Sequence, residues 1–386
     1  MRTKNNGELR ISNVGETVTL VGWCAKKRDL GGLLFIDLRD RWGITQIVVS
    51  PNNEFYNVAA EVKNEYVLKA TGKVVERESK NKNIPTGDVE VIVECLEILS
   101  SAEVTPMIIA DNTDALEDTR MKYRYLDLRR PQMQYNMNLR HKAAMSIRNY
   151  FDALDFIEVE TPVFGKSTPE GARDFLVPSR VHKGEFYALP QSPQLYKQLL
   201  MVAGFERYFQ IVKCFRDEDL RADRQLEFTQ VDLEMSFVDE PDIQALVEGL
   251  LKKVWKDCLD IEINTPFMHM KWTDAMNNYG SDKPDTRFEM LLNNISDWAL
   301  TTECGFFKSA IENGGAVKCI VAKDAASKYS RKELDRLTLL AKKYHAGGLA
   351  WLKYENGTLN GSVAKFVSEE NKEELVKVLN LESNDL

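Results

Sequence analysis

The stretch Arg207–Val238, RYFQIVKCFRDEDLRADRQLEFTQVDLEMSFV, decides the architecture of this chain. It contains two apolar runs, Tyr208–Phe215 and Phe228–Val238, and residues 216–227 between them are mostly charged. Apolar runs of this length separated by a polar segment are typical of two paired strands joined by a long loop. The stretch therefore predicts a β-hairpin with an extended polar connection.

Polar residues occupy one side of this predicted hairpin. Gln230, Asp232 and Glu234 alternate with apolar residues, and period-two alternation places all three on one face of a sheet. Arg216 and Glu218 follow directly after the first strand. A face with this many polar groups is costly to bury unless a polar ligand pairs with it. We therefore interpret the hairpin as the floor of an active site.

Composition narrows the class of protein. The chain has 386 residues, is 44% hydrophobic and 28% charged, and carries a net charge of -8. This length predicts two or three globular domains, and the negative charge argues against a general polyanion binder. The six scattered cysteines lack a C-x-x-C pair, so we expect reduced thiols, no zinc site and a cytoplasmic location. No apolar run is long enough to span a membrane, and we expect no membrane association.

The first hundred residues predict an OB-fold β-barrel. Five strand-like runs surround a helical segment, Glu54–Lys63, that lies between the third run and the fourth. This order of elements is that of an OB barrel. The runs are Thr17–Ala25, Leu33–Asp40, Ile44–Ser50, Tyr66–Glu76 and Val89–Leu99.

Such barrels often bind single-stranded nucleic acid on their second and third strands. Phe35 is a candidate to stack on a base, and Gln46 is a candidate to read one. Lys26, Lys27 and Arg28 supply phosphate-binding charge just before strand two. The alternative is that Phe35 belongs to the core and that the basic triplet is a solvated loop; the barrel sequence alone favours neither.

A connector and a long helix follow. Residues 101–118 carry Pro106 and an acidic stretch, and predict a linker. The next helix, Gln132–Leu154, has an apolar stripe typical of core packing, formed by Met137, Ala144, Ile147, Phe151 and Leu154. A short strand over Phe156–Pro162 comes next.

Gly165-Lys166-Ser167-Thr168 resembles the end of a P-loop, but Glu160 stands where the first glycine is required, so we reject a P-loop. The segment Gln191–Gln198 predicts a helix with Ser192 as its N-cap and Pro193 at its first position. Gln194 and Lys197 are three residues apart and share a face. A lysine close to a helix N-terminus favours a carboxylate ligand, although an isolated pair of this kind is more often simply solvated.

The last hundred residues predict a compact α/β unit without catalytic residues. Its expected elements are strands at Ala316–Ala322 and Leu349–Tyr354 and helices at Arg331–Tyr344 and Glu369–Leu379.

Together these stretches resemble a class II aminoacyl-tRNA synthetase, and most closely the bacterial-type aspartyl group. The long helix with Phe156–Pro162 resembles motif 1 of the class, which forms a dimer interface, and Phe215–Glu218 with the strand Glu227–Phe237 resembles motif 2. Three further stretches resemble parts of the aspartate enzymes: Ser167–Phe175, Gln191–Lys197 and Tyr279–Asp285. The resemblance covers essentially the whole chain and implies an α+β protein.

The resemblance implies four regions. They are an OB-fold anticodon-binding domain over residues 1–102, a linker or hinge over 103–131, a class II antiparallel-sheet catalytic domain over 132–286, and a bacterial-type insertion domain over 287–386.

The resemblance also implies an aspartate–tRNA ligase that uses ATP with Mg²⁺, L-aspartate and tRNA(Asp), and that forms a homodimer. Arg216 is the expected catalytic residue and contacts both aspartate and ATP. Glu170, Gln194, Lys197 and Asp232 are expected to bind aspartate, and Asp217, Glu218 and Gln225 to bind ATP. Arg28, Phe35, Gln46, Arg221 and Arg224 are expected to contact tRNA. Leu30 stands where relatives restricted to the aspartate tRNA tend to carry leucine.

The chain departs from the family in one respect. We find no segment that resembles motif 3, so about half of the family's active site is expected to be missing from this chain, and we expect a fragment of a longer protein. One alternative is a natural tRNA-binding module without ligase activity. Another is an asparaginyl or lysyl synthetase, against which Lys197 and Tyr279–Asp285 argue.

Overall fold

The computed structural model describes residues 1–386, which form two compact units, residues 1–266 and residues 267–386. The first unit contains a β-barrel and a mixed sheet with its helices, and the second is a smaller α/β unit. No helix combines the length and the apolar character needed to cross a bilayer.

The barrel closes in the order β1-β2-β3-β5-β4, as predicted for an OB fold. Its only parallel contact joins β3 and β5. A short helix, α1 (Tyr56–Glu61), precedes the fourth strand. The strands are β1 (Thr17–Leu30), β2 (Leu33–Arg39), β3 (Ile44–Val49), β4 (Val67–Glu76) and β5 (Val89–Ser100).

Alternation builds the barrel core. On β2, Leu34, Ile36 and Leu38 are buried in the core, whereas Phe35 and Asp37 lie on the opposite side of the strand. The turn between β1 and β2 is Gly31-Gly32, and both residues have positive φ (64° and 90°), which a two-residue hairpin turn of type I′ requires. This turn allows β1 to extend to Leu30, five residues beyond the predicted end. Lys26, Lys27 and Arg28 therefore lie in a strand, and the alternative of a basic loop is wrong.

The segment after the barrel contains two short helices, α2 (Glu117–Lys122) and α3 (Arg124–Asp127), before α4 (Pro131–Asp152). The predicted core stripe of α4 is confirmed in its second half, where Phe151 is fully buried. Met137 is 55% exposed, so the prediction is wrong there. The aromatic cluster that buries Phe151 does not extend beneath the first turns of α4.

The sheet of the first unit has the order β10-β9-β6 and contains the predicted hairpin. Strands β9 (Arg207–Phe215) and β10 (Glu227–Met235) pair antiparallel over their whole length. Strand β6 (Ile157–Glu158) is shorter than predicted and runs parallel to β9, so this sheet is mixed rather than purely antiparallel.

Aromatic packing fixes this sheet against its helices. The rings of Phe151 and Phe209 stack at 4.8 Å, and those of Phe151 and Phe156 lie 4.9 Å apart. Leu250 of α6 (Glu240–Leu259) completes the buried cluster. The remaining elements of this unit are β7 (Leu176–Pro178), β8 (Phe186–Ala188) and α5 (Gln194–Val202).

The second unit has its own core around Trp298 and Leu375, and Trp298 Nε1 donates to the Asn371 carbonyl oxygen at 2.7 Å. The two predicted helices and part of each predicted strand are confirmed. The helices Ser296–Thr301 and Gly305–Glu312 and the strands Asn293–Asn294 and Thr358–Gly361 were not anticipated. The predicted domain boundary at 286/287 stays a prediction. The elements are α7 (Trp272–Tyr279), β11 (Asn293–Asn294), α8 (Ser296–Thr301), α9 (Gly305–Glu312), β12 (Lys318–Cys319), α10 (Arg331–Lys343), β13 (Leu352–Glu355), β14 (Thr358–Gly361) and α11 (Glu369–Leu379).

Candidate active site

The polar face of β10 holds a buried ion pair. Lys197 Nζ lies 2.9 Å from Asp232 Oδ1 and 3.4 Å from Glu234 Oε2. The side chains of Lys197 and Asp232 are 12% and 2% exposed, whereas that of Glu234 is 33% exposed. Gln230 Nε2 lies 3.5 Å from Asp232 Oδ1. The predicted placement of Gln230, Asp232 and Glu234 on one face is confirmed, and α5 delivers Lys197 to it.

Asp232 carries an unsatisfied acceptor. Its second oxygen, Oδ2, is buried and has no hydrogen-bond partner. Burial and the nearby Asp232 carboxylate raise the pKa of Tyr208, so this phenol stays neutral; although it lies close to Asp232, its single proton is donated to Gln210 Oε1 at 3.0 Å and is not available to Oδ2. A buried acceptor without a donor destabilises the folded state, and a ligand that supplies a donor removes this penalty. The site therefore offers a binding position to an ammonium group.

The predicted charged residues converge around the buried thiol of Cys214. Burial, and after it the Asp232 carboxylate, raise the pKa of Cys214 to about 11. The Arg216 guanidinium opposes this effect, and the Glu170 carboxylate adds to it. The thiol itself donates to Gln230 Oε1 at 3.4 Å, on the face of β10 that also carries Asp232, so side chains of both strands meet at this position.

Arg216 combines an aromatic contact with an unsatisfied donor. Its guanidinium carbon lies 5.1 Å from the centroid of the Phe228 ring, which is a cation–π distance. Its Nε atom is buried and has no hydrogen-bond partner. The backbone N–H of Arg216 donates to the Leu226 carbonyl oxygen at 2.9 Å and closes the base of the loop. The side chain is therefore held by its neighbours and can still bind an anion.

Helix α5 starts one residue later than predicted. Pro193 is the N-cap, Gln194 is the first helical residue, and no side chain caps the helix. The expected N-cap, Ser192, instead donates its hydroxyl to Glu170 Oε2 at 3.0 Å, so the capping prediction is wrong. Gln194 and Lys197 remain one turn apart at the start of the helix.

Gln191 organises the chain around Glu170, and the sequence reasoning gave it no role of its own. It is 2% exposed, and it exchanges hydrogen bonds of 2.8 and 2.9 Å with the backbone of Ala172. It also donates to Asp174. Burial raises the pKa of Asp174, but hydrogen bonds from Ser167 and Gln191 outweigh this effect and leave the pKa below its ordinary value. The sequence feature that could have pointed to Gln191 is its position at the start of the Gln191–Lys197 stretch.

An open cleft of about 350 Å³ lies between residues 171–173 and residues 217–224. The backbone N–H of Asp217 donates to the Arg173 carbonyl oxygen at 3.0 Å, which joins the two walls. Arg224 Nη1 lies 3.6 Å from Glu218 Oε2, and Gln225 is exposed on the loop. The lining residues are Gly171, Ala172, Arg173, Asp217, Glu218, Asp219, Arg221 and Arg224.

The barrel presents its own polar surface. Phe35 is partly exposed, lies outside the barrel core and pairs in register with Arg28, so the alternative that it is a core residue is wrong. Gln46 is 3% exposed and fully engaged. Its Oε1 accepts from Arg28 at 3.0 Å and Arg77 at 3.1 Å, and its Nε2 donates to Glu90 at 2.6 Å. Arg77 directly follows β4 and Glu90 lies on β5, and the sequence reasoning missed both.

The barrel, the hairpin and the convergent charged residues define a class of protein. A family model described as class II tRNA synthetases (D, K and N) matches residues 116–379, and one described as an OB-fold nucleic acid binding domain matches residues 18–99. The chain belongs to the class II tRNA synthetases of the D, K and N group.

Curated relatives narrow the similarity further. The chain is 56% identical over 391 aligned residues to proteins named aspartate–tRNA(Asp/Asn) ligase from Bacillus mycoides and Bacillus anthracis. Each match covers 100% of this chain and 66% of the relative. The chain therefore spans slightly less than two thirds of the length of these relatives.

Solved structures give the same fold. The asparaginyl-tRNA synthetase from Pyrococcus horikoshii, complexed with asparaginyl-adenylate, is 27% identical with a TM-score of 0.58, over 66% of this chain and 57% of that one. A protein described as an aspartyl-tRNA synthetase from Leishmania major shares the fold at 23% identity with a TM-score of 0.59, over 66% of this chain and 52% of that one.

Proposed function

We propose that this chain belongs to an aspartate–tRNA ligase. In the first step the α-carboxylate of L-aspartate attacks the α-phosphorus of ATP, which forms aspartyl-adenylate and releases pyrophosphate. In the second step a hydroxyl of the terminal ribose of tRNA(Asp) attacks the aspartyl carbonyl, which forms aspartyl-tRNA and releases AMP. The 56% identity to aspartate–tRNA ligases supports this assignment.

The observation that carries the proposal is the ion pair at the base of the site. Lys197 is nearly buried, and the unsatisfied oxygen of Asp232 lies beside it. Lys197 binds the side-chain carboxylate of the substrate, and Asp232, with Glu170 and Gln194, binds its ammonium group and backbone. Asparagine is disfavoured because its neutral amide is a weaker partner for the Lys197 ammonium than the side-chain carboxylate of aspartate is.

Arg216 is the proposed catalytic residue. Adenylate formation needs little proton transfer, so catalysis rests on positioning and on neutralising the charge of the transition state. A guanidinium can bridge the attacking carboxylate and the α-phosphate, and the unpartnered Nε of Arg216 supports this role. A preorganised contact of this kind contributes about 3 kcal/mol to the transition state. Asp217 and Glu218 contribute to ATP binding along the cleft, and Gln225 is proposed to join them from its exposed position on the loop.

Magnesium is proposed as part of the ATP substrate. In this chain, no group of three or more histidine, cysteine, aspartate or glutamate side chains lies close enough to hold a metal ion. No step of the proposed mechanism depends on a metal ion held by the protein alone. The ATP phosphates supply the natural ligands of Mg²⁺.

The barrel is proposed to bind the anticodon of tRNA. Phe35 stacks on a base and Arg28 contacts a neighbouring group, while Gln46, which is buried and bonded within the barrel, supports Arg28 from below. Arg221 and Arg224, on the loop between β9 and β10, contact the acceptor end. Leu30 is 62% exposed at the end of β1 and favours tRNA(Asp) alone, whereas the Bacillus relatives are named for both tRNA(Asp) and tRNA(Asn). Charging of a tRNA(Asn) transcript with aspartate distinguishes the two.

The site is proposed to work in a cytoplasmic homodimer. The interface includes α4 and β6, the elements that resemble motif 1. Exposed apolar side chains on α4 support this assignment: Tyr135 is 54% exposed and Met137 is 55% exposed.

Aspartate-dependent exchange of pyrophosphate into ATP tests the proposed activity. The protein expressed from its gene is assayed with aspartate, asparagine and lysine, and we expect exchange with aspartate alone. Exchange driven by asparagine or lysine instead would overturn the assignment. Lys197→Met is expected to lose exchange, and Lys213→Met, on an exposed part of the same hairpin, is the matched control.

A tRNA-binding module without ligase activity is the second candidate, and the closed barrel favours it. The two candidates differ in exchange activity and agree in tRNA binding. Binding of tRNA(Asp) by a protein that shows no exchange with any of the three amino acids would support the module.

A further inference from the structure

A buried carboxylate at the rim of the barrel joins two arginines from different regions of the chain. Glu65 is 6% exposed and lies between α1 and β4. Both of its oxygens accept from Arg39 Nη2 at 2.8 Å, and Oε2 also accepts from Arg129 Nη1 at 2.8 Å. Arg39 ends β2 of the barrel, whereas Arg129 comes from the segment that precedes α4. The barrel therefore holds a side chain that does not belong to it.

A second contact fixes the same arginine. The guanidinium carbon of Arg129 lies 4.8 Å from the ring centroid of Trp23. Trp23 is on β1 and pairs in register with Arg39, so the ring and the carboxylate form one surface of the barrel. An arginine that both stacks on an aromatic ring and bonds a carboxylate is restricted in position and in orientation.

The charges at this junction show that Arg129 can be removed without leaving a buried charge unpaired. Arg39 is 9% exposed and, with two hydrogen bonds, already neutralises Glu65. The side chain of Arg129 is 32% exposed and adds a second positive charge. Removing Arg129 leaves a balanced buried pair, whereas removing Glu65 leaves Arg39 buried without its counter-charge. A substitution of Arg129 can therefore remove the contact between the barrel and the segment before α4 without disturbing the folding of the barrel.

The segment that carries Arg129 is ordered by its own ion pairs and leads directly into the first helix of the catalytic body. Asp127 is fully buried and accepts hydrogen bonds from Arg120, Arg124 and Arg130 at 3.0, 2.6 and 2.8 Å. Helix α4 begins at Pro131, directly after this cluster. Farther along α4, Arg140 Nη2 donates to Thr229 Oγ1 at 2.8 Å, on the strand that carries Asp232. A continuous set of contacts thus runs from the barrel to the floor of the site.

We propose that Arg129 is a positioning residue for tRNA: it holds the barrel in one orientation relative to the catalytic body. The effect of Arg129 on tRNA charging rests on the proposed function, whereas its effect on the orientation of the barrel does not. A tRNA held by its anticodon presents its acceptor end to the site only while this orientation is kept. The segment predicted as a linker or hinge then acts as a clamp, and loss of the clamp lowers the productive fraction of bound tRNA.

Three variants test the clamp: Arg129→Ala, Arg129→Lys and the control Lys69→Ala. Lys69 forms an exposed ion pair with Glu97 at 3.2 Å, within the barrel alone. Small-angle X-ray scattering of the protein expressed from its gene reports the orientation of the barrel without any substrate. Aminoacylation and pyrophosphate exchange by the protein expressed from its gene report the reaction with tRNA and without it.

For Arg129→Ala we expect a larger radius of gyration and about a tenfold lower kcat/KM for tRNA. We expect pyrophosphate exchange to be unchanged and the dissociation constant of tRNA to change less than threefold. Arg129→Lys keeps the charge but loses the planar stacking. We expect its radius of gyration and its kcat/KM for tRNA to lie between those of the wild-type protein and Arg129→Ala. Lys69→Ala is expected to match the wild-type protein in every assay.

Wild-type scattering and wild-type charging by Arg129→Ala would overturn the clamp. An equal loss of exchange and of charging would also overturn it, because the damage would then lie in the active site. Absence of exchange in the wild-type protein rejects the proposed ligase function, but scattering still decides whether Arg129 holds the barrel.

Discussion

Replacement of Lys197 by methionine removes the cation that faces two carboxylates. Asp232 then keeps only the contact from Gln230 at 3.5 Å, in a position that is 2% exposed. Breaking one side of a buried ion pair costs about 3–5 kcal/mol, because the remaining charge stays buried without compensation. We expect the free energy of opening of the β9–β10 hairpin to fall by about 3 kcal/mol, the lower end of this range, because the methionine retains the packing of the lysine stem.

Substitution of the partner, Asp232, is expected to lower the free energy of opening of the hairpin by less. In Asp232→Asn, Lys197 keeps Glu234 at 3.4 Å, and the amide still accepts a hydrogen bond. The expected cost is about 1–2 kcal/mol, the size of one weakened charged hydrogen bond. The structure therefore predicts an order: the lysine substitution destabilises the hairpin more than the aspartate substitution does.

Native-state hydrogen exchange of the β9 and β10 amides measures this opening directly. The matched control is Lys213→Met, which removes the pair between Lys213 and Glu227 from the same two strands. Both of these side chains are more than half exposed, at 56% and 54%, so the expected change is below about 1 kcal/mol.

Equal losses in Lys197→Met and Asp232→Asn would contradict the reasoning, as would a larger loss in Asp232→Asn. A control effect as large as that of Lys197→Met would also contradict it, because burial would then not decide the strength of the pair. Calorimetric binding of aspartate by the same variants gives the functional counterpart, and both site variants are expected to bind it more weakly than the control.

Three further predictions follow from single residues. Phe35→Ala is expected to weaken tRNA binding by about 1–3 kcal/mol in a fluorescence titration, because it removes a stacking ring; unchanged affinity would remove Phe35 from the interface. Hydrogen bonds, first from Arg120, lower the pKa of Asp127 from 3.8 to about 2, so its stabilising effect is present above pH 4 and is lost as the pH falls through 2. The urea midpoints of wild type and Asp127→Asn should differ at pH 7 and converge between pH 4 and pH 2, and a constant difference would refute this. Burial raises the pKa of Cys214 to about 11, so mass spectrometry should find it alkylated far more slowly at pH 7.5 than the exposed Cys95; equal rates would refute its burial.

The alternation of apolar and polar residues along the sequence predicted the order of the barrel strands and the polar face of β10. The barrel order follows from five apolar runs and a helix, and the polar face of β10 follows from the alternation of Gln230, Asp232 and Glu234. The stripe of α4 failed at Met137, because periodicity indicates which side of a helix is apolar but not how far the neighbouring cluster extends.

Partners from distant strands are not visible in the sequence. Gln46 was a candidate reader of a base, but its amide is engaged by Arg28, Arg77 and Glu90, which are 18, 31 and 44 residues away. The N-cap of α5 moved by one residue because the hydroxyl of Ser192 is used by Glu170, 22 residues earlier. The surface that Glu65 and Trp23 form together could not be predicted from the sequence for the same reason, because it exists only after the barrel has closed.

The two faces of β10 make this strand intolerant of changes in length. Val231, Leu233 and Met235 pack against the aromatic cluster, and the residues between them form the site. Deleting one residue within the strand would turn the carboxylates towards the phenyl rings and the apolar side chains towards the substrate. Residues 216–226 connect the strands outside the paired region, so a change of length there leaves the register of β10 unchanged. In-frame insertions or deletions in the strand should therefore disrupt the hairpin itself, whereas those in the loop should leave the hairpin folded and lower activity by displacing the charged residues proposed to bind ATP and tRNA.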